Sequence, residues 1–362
     1  MVLLWRLLPG LRRGRPVRPL AKPLRDTSVS VIVPTLNEAT RIGPCLAGLS
    51  RQGAPLTEVI VVDSGSVDGT PDLVTEHARR DSRFRLERDP PLPAGWIGKV
   101  WALQHGLSVA RGEWILGVDA DTEPNEGMVA GVVSAAQQAG LELVSFSPMF
   151  AGQTSAERWV QPALLVSLVY RTGAPGASTS SDRLLANGQC FLARRETLMA
   201  QGGYAPARDS FADDVRLARH YATRGVPAAF LDGRLLYRVR SYRSAGEMWR
   251  EWGRSVDLAD ATSTGRQWAD VAVLALGQAL PLPMLALSLI WPVPWLLFAV
   301  NALLLATRLA VLIGIAPSYE RRGLPFFLSW MCDVPAVFRV VWSTFRRPVS
   351  WRGRTYHVSA GN

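Results

Sequence analysis

Two aspartates, Asp119 and Asp121, follow the apolar run in the segment GEWILGVDADTEP at positions 112–124. Residues two apart on a strand point to the same face, so this pattern predicts two neighbouring carboxylates. Like charges at short range raise each other's pKa unless a cation lies near them. Mg²⁺ or Mn²⁺ is bound by one or two carboxylates together with substrate phosphates and water. We therefore predict metal–nucleotide binding here in preference to a solvated turn.

Two further segments place polar residues where a phosphorylated ligand could bind. Asp63 ends the apolar run EVIVVD (58–63), and its carboxylate could accept the ring N–H of a base such as uracil. Asp68, in the following turn, is more simply a brace of that turn. Lys99 begins the helical pattern GWIGKVWALQHGL (95–107), where a cation opposes the helix dipole and costs up to about 1 kcal/mol. A phosphate at the helix start would explain that cost, and a lysine pointing into water explains the residue equally well.

A third segment, FADDVRLARH (211–220), begins a predicted helix with Asp213 and Asp214. Acids are ordinary at a helix start because they complement the dipole. Taken alone, this segment favours a structural role for Asp214 over a catalytic one. The three cysteines lie far apart and form no CxxC pair, so neither a disulfide framework nor a zinc site is indicated.

The elements that would position these residues alternate between strands and helices from about 28 to 148. Unbroken apolar strands that alternate with amphipathic helices indicate a mostly parallel sheet covered on both faces. Ligands of such sheets bind beyond the carboxyl ends of the strands, where the acids lie. The predicted strands are 29–34, 58–63, 113–120 and 141–148, and the predicted helices lie near 37–52, 70–80, 99–110 and 125–139.

The pattern of the middle zone, 149–265, is more mixed. NGQCFLARRE (187–196) and AAFLDGRLLYRVR (228–240) predict further strands, and SAGEMWREWGRS (244–255) predicts an amphipathic helix. The apolar stretch WVQPALLVSLVYR (159–171) is too short to span a bilayer. It could lie on a membrane surface or cover the sheet.

The C-terminal zone is strongly apolar, with 37 consecutive uncharged residues from Val271 to Thr307. One helix of that length would measure about 55 Å against about 30 Å of hydrocarbon, and a Pro-Val-Pro sequence interrupts it. We predict two spans, near 271–290 and 295–316. A further stretch at 324–345 is either a third span or an interfacial helix. Basic clusters on both of its sides favour the interfacial helix, because both should stay cytoplasmic.

The formal net charge of +10 suits an anionic partner: nucleic acid, an acidic membrane surface or a phosphorylated small molecule. Nucleic acid is disfavoured, because the basic residues are concentrated beside the apolar segments. Seven of them lie in the first 26 residues. The N-terminal arm, 1–27, is therefore interpreted either as a grip on anionic lipid headgroups or as a disordered basic tail.

Taken together, the segments from about 28 to 255 resemble the family 2 glycosyltransferases, which are inverting, metal-dependent enzymes with a GT-A fold. The matching motifs, in order, are VIVPTLNE (31–38), VVDSGSVDGT (61–70), GKVWAL (98–103), VDADTEP (118–124), NGQCF (187–191), GGY (202–204) and ADD (212–214). The appended hydrophobic segments and the closing VSWRGRTY (349–356) resemble the membrane-bound branch that glycosylates lipids. That branch includes ceramide glucosyltransferase-like, hopanoid-associated and carotenoid glycosyltransferases.

The resemblance implies an α/β fold: a GT-A, Rossmann-like nucleotide-diphospho-sugar transferase domain at 28–265, followed by C-terminal transmembrane helices in 266–362. Within the domain, 28–148 would be the nucleotide-sugar half and 149–265 the acceptor half. The implied location is the cell membrane, with a multi-pass anchor and the catalytic domain on the cytoplasmic side. The oligomeric state is left open.

The resemblance also implies roles for individual residues. Asp63 would contact the nucleobase, Asp119 the ribose or the metal, and Asp121 the Mg²⁺ or Mn²⁺ on the diphosphate. Asp214 would be the general base, with Gln189 and Asp213 on the acceptor side. The other donor-binding residues implied are Pro34, Asn37, Glu38, Lys99, Arg250 and Trp252.

Two positions depart from the family pattern. The family usually has Glu-Asp where this chain has Asp213 and Asp214, a change that leaves the base position intact. Membrane members often carry Q-x-x-R-W after the base, and the nearest match here is EMWREW (247–252). Arg250 and Trp252 would replace its last two residues.

The predicted reaction moves a hexose from a nucleotide sugar, UDP-glucose or similar, to a hydroxyl of a membrane lipid such as a carotenoid or hopanoid. A polyprenyl phosphate is an alternative acceptor, but it is already ionised and would not need Asp214 as a base. A nucleotidyltransferase would need a glycine-rich loop after the first strand, which PTLNEATRIG lacks. A non-catalytic membrane protein is the remaining alternative, and the intact acids argue against it.

Overall fold

The computed structural model describes residues 2–240, 246–249, 258, 261–345, 350–351 and 354–355. The chain divides into two compact units, each discontinuous in sequence. The sheet unit comprises Gly14–Met149, Ser180–Ser241 and Pro348–Asn362, and the helical unit comprises Met1–Arg13, Phe150–Thr179 and Tyr242–Arg347.

The strands and helices have the following bounds. The strands are β1 Val29–Thr35, β2 Leu56–Asp63, β3 Phe84–Arg88, β4 Trp114–Gly117, β5 Thr122–Pro124, β6 Leu143–Ser147, β7 Met149–Phe150, β8 Phe191–Arg194, β9 Ala228–Asp232, β10 Tyr237–Val239, β11 Ser350–Trp351 and β12 Arg354–Thr355. The helices are α1 Val2–Leu7, α2 Ile42–Ser50, α3 Thr70–Arg80, α4 Gly98–Val109, α5 Met128–Gln138, α6 Ser155–Thr172, α7 Arg195–Ala200, α8 Asp213–Ala222, α9 Thr264–Leu274, α10 Pro281–Leu287, α11 Trp295–Ile315, α12 Gly323–Phe327 and α13 Asp333–Phe345.

The main sheet has seven strands in the order β3-β2-β1-β4-β8-β6-β9. Neighbouring strands are parallel except at β8, which runs antiparallel to both β4 and β6. The two faces bury separate apolar clusters: Val31 and Val33 of β1 belong to one, and Ile32 belongs to the other. The alternation follows from the two-residue period of a strand. The predicted mostly parallel sheet with helices on both faces is confirmed.

Strand β3 was absent from the sequence-based prediction. It pairs in parallel with β2 at the edge of the sheet, and Phe84 is its one fully buried residue. The sequence FRLER is mostly charged because an edge strand keeps much of its surface in solvent. Such a strand lacks the unbroken apolar run by which the other strands were recognised.

The N-terminal arm is ordered along the sheet unit from Gly14 onward. The Val17 N–H donates to Asp232 O over 2.8 Å, and the Leu20 N–H donates to Gly127 O over 3.0 Å. A β carbon on Gly127 would lie 2.6 Å from Leu20 O, so the close approach requires glycine there. The disordered-tail interpretation is therefore wrong for residues 14–27 of the arm, because backbone hydrogen bonds and the apolar packing of Val17 and Leu24 fix this segment.

Helix α6 contains the apolar stretch predicted at 159–171 and belongs to the helical unit. A capping box at Thr154 and Glu157 starts it, with each side chain accepting the backbone N–H of the other residue. Its buried Leu164 and Tyr170 share one apolar cluster with Leu312 of α11. The helix is therefore a central packing element of the helical unit.

In the part of the chain that the structure describes, one unbroken helix is long and apolar enough to cross a membrane: Trp295–Ser318, with 24 residues, which comprises α11 and the 3₁₀ turn that follows it. A second candidate consists of Thr264–Ala279 and Pro281–Leu287, which are bent by 42° at their junction. A π-helical turn followed by proline explains the bend. The structure supports one span, or two if the bent pair counts as one, so the predicted set of several transmembrane helices is not established.

The predicted third stretch, 324–345, is not a continuous helix. It consists of α12, a 3₁₀ turn at Ser329–Cys332, and α13. None of these pieces reaches the roughly 20 residues that a membrane span needs.

A buried ion pair links α11 to α13 inside the apolar helical unit. The Arg308 Nε atom lies 2.8 Å from Asp333 Oδ2, and both side chains are almost completely buried. The Gln278 side chain donates to Asp333 Oδ1 over 2.9 Å and to Ala163 O over 2.8 Å. Paired charges in such surroundings are tolerated because each compensates the other, so loss of either one is costly.

We expect Asp333→Leu to lower the free energy of unfolding by about 3–5 kcal/mol, because it leaves the Arg308 guanidinium buried without its counterion. Arg308→Met should cost less, since a lone aspartate can take up a proton whereas arginine stays charged. Denaturant unfolding of the full chain in detergent micelles measures both. The double variant should recover most of the loss, and single variants as stable as the wild type would contradict this account.

Candidate active site

The candidate site lies beyond the carboxyl ends of β1, β2 and β4. Strands β2 and β3 lie on one side of β1 and β4 lies on the other, so the strand order reverses between β1 and β4. Open α/β sheets bind ligands at such a point. Pairing between β1 and β4 ends at Ile32 and Gly117. Pro34, which has no N–H to donate, follows within β1 and is buried. Pro34 is therefore placed to shape the crevice, and its predicted contact with a donor stays a prediction.

The loops that follow β1 and β2 are joined by hydrogen bonds. Asn37 has a left-handed φ of 56°, and its side-chain oxygen accepts the Val67 N–H over 2.9 Å. The Asn37 N–H donates to Ser66 Oγ over 2.8 Å, and the Glu38 N–H donates to Thr70 Oγ1 over 2.9 Å. Asn37 therefore holds the two loops together, and its predicted contact with a donor, like that of Glu38, stays a prediction.

Asp63 and Asp68 have different positions in this crevice. The buried Asp63 carboxylate accepts the N–H groups of Gly65 and Ser66 over 3.2 and 3.1 Å. These bonds fix its orientation at the end of β2. Asp68 accepts the Ala39 N–H over 2.9 Å and thereby braces the turn, as its position in the sequence indicated.

Asp119 and Asp121 lie in a turn and not on a strand. Strand β4 ends at Gly117, and the Thr122 N–H and Oγ1 both donate to Asp119 O, over 3.1 and 2.7 Å. The strand-period explanation for their proximity is therefore wrong. The turn forms because Thr122 closes it. Burial raises the pKa of the Cys45 thiol to about 12, with the charges of Asp121 and Asp119 adding to that effect, so both carboxylates lie near Cys45.

Lys99 forms an ion pair at the first turn of α4. Its Nζ atom lies 2.8 Å from Asp119 Oδ1 and 3.1 Å from Asp119 Oδ2. Burial alone would lower the pKa of Lys99, but the charges of Asp119, Asp213 and Asp214 outweigh burial and raise it. The lysine is therefore cationic and points towards these carboxylates, so the interpretation of a lysine pointing into water is wrong.

Asp213 and Asp214 start α8 beside this lysine. Burial raises the pKa of Asp213 to about 7, and the neighbouring Asp214 and Asp119 add to that rise while Lys99 opposes it. Burial also raises the pKa of Asp214, against the opposing effects of Lys99 and of the N–H groups of Val215 and Gly188. A carboxylate with a raised pKa is a stronger base than an exposed aspartate.

Gly188 is a site residue that the sequence did not single out. Its N–H donates to Asp214 Oδ2 over 2.6 Å. A β carbon at this position would lie 2.9 Å from Lys99 Nζ and 3.6 Å from Asp214 Oδ2. The preceding Asn187 and the following Gln189 form a turn in which each side chain bonds the other residue. The Asn-Gly pair was the available signal, since it favours tight turns.

Tyr237 is a second residue that the sequence did not single out. Its hydroxyl donates to Phe146 O over 2.6 Å. Burial raises its pKa well above the ordinary value, and the charges of Asp119, Asp121 and Asp214 contribute to the rise. These effects indicate that Tyr237 lies within electrostatic reach of all three carboxylates.

Of the predicted site residues, Lys99, Asp119, Asp213 and Asp214 form one cluster, which we call the acid cluster. Gly188 connects this cluster to Gln189. Asp63 ends β2, and Asn37 and Glu38 lie on the loop after β1. Arg250 and Trp252 lie outside the described residues, and their predicted roles stay predictions.

Among the residues that the structure describes, no group of three or more His, Cys, Asp or Glu side chains could hold a metal ion. The predicted metal ligands are the carboxylates of Asp119, which belongs to the acid cluster, and of Asp121. Two carboxylates suit Mg²⁺ or Mn²⁺ when a bound phosphate and water complete the coordination shell. The residues therefore fit a metal that arrives with a phosphorylated ligand.

Residues 30–200 match the model of the family described as glycosyl transferase family 2. This part of the chain is therefore a family 2 glycosyltransferase domain, which confirms the family that the sequence motifs indicated. It contains β1 to β8 and includes Lys99, Asp119 and Asp121, whereas Asp213 and Asp214 lie beyond it.

The fold is similar to that of a mannosyltransferase, PcManGT from Pyrobaculum calidifontis, solved in complex with GDP-Man and Mn²⁺. The TM-score is 0.54 at 21% sequence identity, over 95% of this chain and 94% of that one. This likeness confirms the GT-A-like α/β fold.

Two relatives are named 4,4'-diaponeurosporenoate glycosyltransferase. The one from Staphylococcus haemolyticus is 25% identical over 60% of this chain and 57% of its own length. The one from Staphylococcus aureus is 23% identical over 92% of this chain and 89% of its own length. The chain spans between 27% and 57% of the length of three of the curated relatives that it matches.

The raised pKa of Asp213 predicts a pH-dependent stability. The folded protein binds this proton more tightly than the unfolded chain, so its contribution to stability is present at acid pH and is lost as the pH rises from 3.8 towards about 7. Asp213→Asn should remove that loss. Between about pH 5 and about pH 8, the free energy of unfolding of the variant should therefore rise relative to that of the wild type by on the order of 1 kcal/mol.

Denaturant unfolding of both proteins at the two pH values measures this difference. Asp209→Asn is the matched control, because Asp209 is half-exposed and pairs with Arg216 at the surface. If the stability of Asp213→Asn relative to the wild type stays constant or falls as the pH rises, the pKa of Asp213 is not raised in the folded protein.

Proposed function

We propose that this chain is an inverting glycosyltransferase that moves a hexose from a nucleotide sugar to a hydroxyl of a membrane lipid. One observation carries the proposal: Lys99 is ion-paired with Asp119 and lies within electrostatic reach of Asp213 and Asp214, beyond the carboxyl ends of the strands in a family 2 domain. In this arrangement Lys99 and Asp119 would face the departing diphosphate of the donor. Asp214 would face the acceptor and act as the base.

The donor would bind across the ends of β1, β2 and β4. The fixed Asp63 carboxylate would accept a ring N–H of the base, which supports a uracil nucleotide such as UDP-glucose. Asp119 and Asp121 would hold Mg²⁺ or Mn²⁺, which supplies charge neutralisation to the leaving diphosphate. Lys99 would add its own positive charge to the phosphate oxygens, an electrostatic contribution to catalysis.

Asp214 would act as the general base. The Gly188 N–H holds its Oδ2 atom, and burial raises its pKa, so an oriented carboxylate of increased basicity faces the site. The base would remove the proton of the acceptor hydroxyl while that oxygen attacks the anomeric carbon and the diphosphate leaves. Attack from the side opposite the leaving group inverts the configuration.

The need for a base distinguishes the acceptor classes. A lipid alcohol needs one, whereas a polyprenyl phosphate, or the carboxylate that the name diaponeurosporenoate denotes, is already ionised at neutral pH. The partly buried Asp214, with its raised pKa, therefore supports a hydroxyl acceptor. The relatives named for diaponeurosporenoate support a lipid-soluble acceptor such as a carotenoid.

The helical unit supports a location at the cell membrane, with the catalytic domain on the cytoplasmic side. It exposes a series of large apolar side chains, among them Leu289, Ile290, Trp291 and Trp295, each more than two-thirds exposed. Contiguous exposed apolar surface of this kind is typical of contact with a membrane or a partner. A lipid acceptor would be dissolved in that membrane, whereas the nucleotide sugar is soluble in water.

We expect Asp214→Asn to lower the transfer rate by about 10²- to 10⁴-fold, because the amide cannot accept the hydroxyl proton. Binding of UDP should be retained, since Asp214 would not contact the nucleotide. The assay incubates membranes that contain the full chain with labelled UDP-glucose and Mn²⁺, followed by lipid extraction. Full activity of the variant would show that the acceptor is already ionised or that another residue is the base.

We expect Gly188→Ala to lower kcat/KM by about 10- to 100-fold, because the added methyl group displaces Lys99 and the base by a fraction of an ångström. The protein should remain folded, since the nearest atom is the mobile end of a lysine side chain. Gly43→Ala is the matched control: Gly43 lies in α2 with no atom within 4 Å of an added β carbon. Equal activities of the two variants would contradict the assigned geometry.

A further inference from the structure

Lysine is rare in this chain, which has 40 lysines and arginines together but only two lysines, Lys22 and Lys99. Lys22 is exposed in the N-terminal segment. Lys99 is thus the one lysine of the chain other than Lys22, and it lies at the first turn of α4, where the chain does not use arginine, its prevailing basic residue. The compact ammonium group fits here, because Gly188 approaches so closely that even a β carbon on it would contact Lys99 Nζ. The planar guanidinium group of arginine is larger and would need more room.

The ammonium group engages both oxygens of Asp119, at 2.8 and 3.1 Å from Nζ. A divalent ion that used Asp119 as a ligand would bind one or both of the same oxygens. Because both cations are attracted to the same carboxylate and repel each other, they compete for it. Binding of a metal to Asp119 therefore favours the release of at least one of these contacts by Lys99.

Lys99 is one cation among three carboxylates: it lies within electrostatic reach of Asp119, Asp213 and Asp214. Its displacement from Asp119 without a new anionic partner would leave the ammonium group partly desolvated, which is unfavourable. The diphosphate of a nucleotide sugar would provide such a partner. It would also bring the oxygen ligands that the two aspartates do not provide for a metal.

We propose that Lys99 is an exchangeable counterion: it neutralises Asp119 in the empty site and moves to a phosphate oxygen of the entering nucleotide, so that Asp119 becomes a metal ligand only when the nucleotide is present. This inference rests on the proposed function, because it assumes a nucleoside diphosphate as the ligand. Its consequence is strong coupling between metal and nucleotide, with little binding of metal alone. Such coupling is reciprocal, so the metal strengthens nucleotide binding by the same factor.

The test measures Mn²⁺ affinity by titration calorimetry on the purified full chain in detergent micelles, without donor and then with saturating UDP. For the wild type we expect UDP to raise the Mn²⁺ affinity at least tenfold. In Lys99→Met, Mn²⁺ alone should bind about tenfold more tightly than in the wild type, because the competing ammonium group is gone. The enhancement by UDP should shrink accordingly. Lys22→Arg is the control and should behave as the wild type.

The outcomes separate this inference from the proposed function. If UDP does not bind at all, with or without Mn²⁺, the proposed function fails and the inference fails with it. If UDP and Mn²⁺ bind together but Lys99→Met leaves the affinity for Mn²⁺ alone unchanged or lower, the exchange is overturned and the proposed function stands.

A second measurement does not depend on the folding of Lys99→Met. In Lys22→Arg, Lys99 is the only lysine, so protein labelled with ¹³C-lysine gives a single Cε signal in NMR. We expect this signal to stay in place when Mg²⁺ is added alone and to move when UDP and Mg²⁺ are added together. A shift with Mg²⁺ alone, or no shift with both, overturns the exchange.

Discussion

The candidate site depends on the balance of charge around one partly buried lysine. Lys99 lies against Asp119 and near Asp213 and Asp214, three carboxylates that come from two separate parts of the chain. Without a cation these acids would repel one another in a partly desolvated crevice, and the folded state would favour their protonation. The lysine offsets part of this repulsion and opposes the rise in the pKa of Asp213 and Asp214, so the three acids can lie close together.

The surrounding fold positions this charge group by backbone features. The order of strands reverses between β1 and β4, and their pairing ends before Pro34, which leaves room at the carboxyl ends. Thr122 closes the turn that holds Asp119, and the Gly188 N–H fixes one oxygen of Asp214. The chemistry thus lies on loops and helix starts, while the sheet below supplies rigidity.

The sequence predicted the sheet and the identity of the acids well, because parallel strands have unbroken apolar runs and their carboxyl ends share one edge. It did not predict β3, whose charged edge residues hide the strand pattern. It also gave a wrong reason for the pairing of Asp119 and Asp121, because a turn closed by a threonine leaves no periodic signal. Gly188 was missed since its importance comes from a distant lysine, and distances between remote segments are not visible in a sequence. The hydrophobic segments were recognised by composition, but composition gave no signal for the π-helical turn at Ala275–Ala279 that precedes the bend.

The central claim is that the acid cluster and Asp121 together bind a metal-bound nucleoside diphosphate. The most direct measurement is thermal unfolding of the full chain with UDP, in the presence and absence of Mn²⁺, for the wild type and Asp121→Asn. A ligand that binds only the folded state raises the Tm, by an amount that grows with the ratio of its concentration to its Kd. We expect UDP to raise the Tm of the wild type only when Mn²⁺ is present. In Asp121→Asn, UDP should leave the Tm unchanged even with Mn²⁺. An unchanged Tm of the wild type with both ligands, or equal protection of the variant, would contradict the central claim.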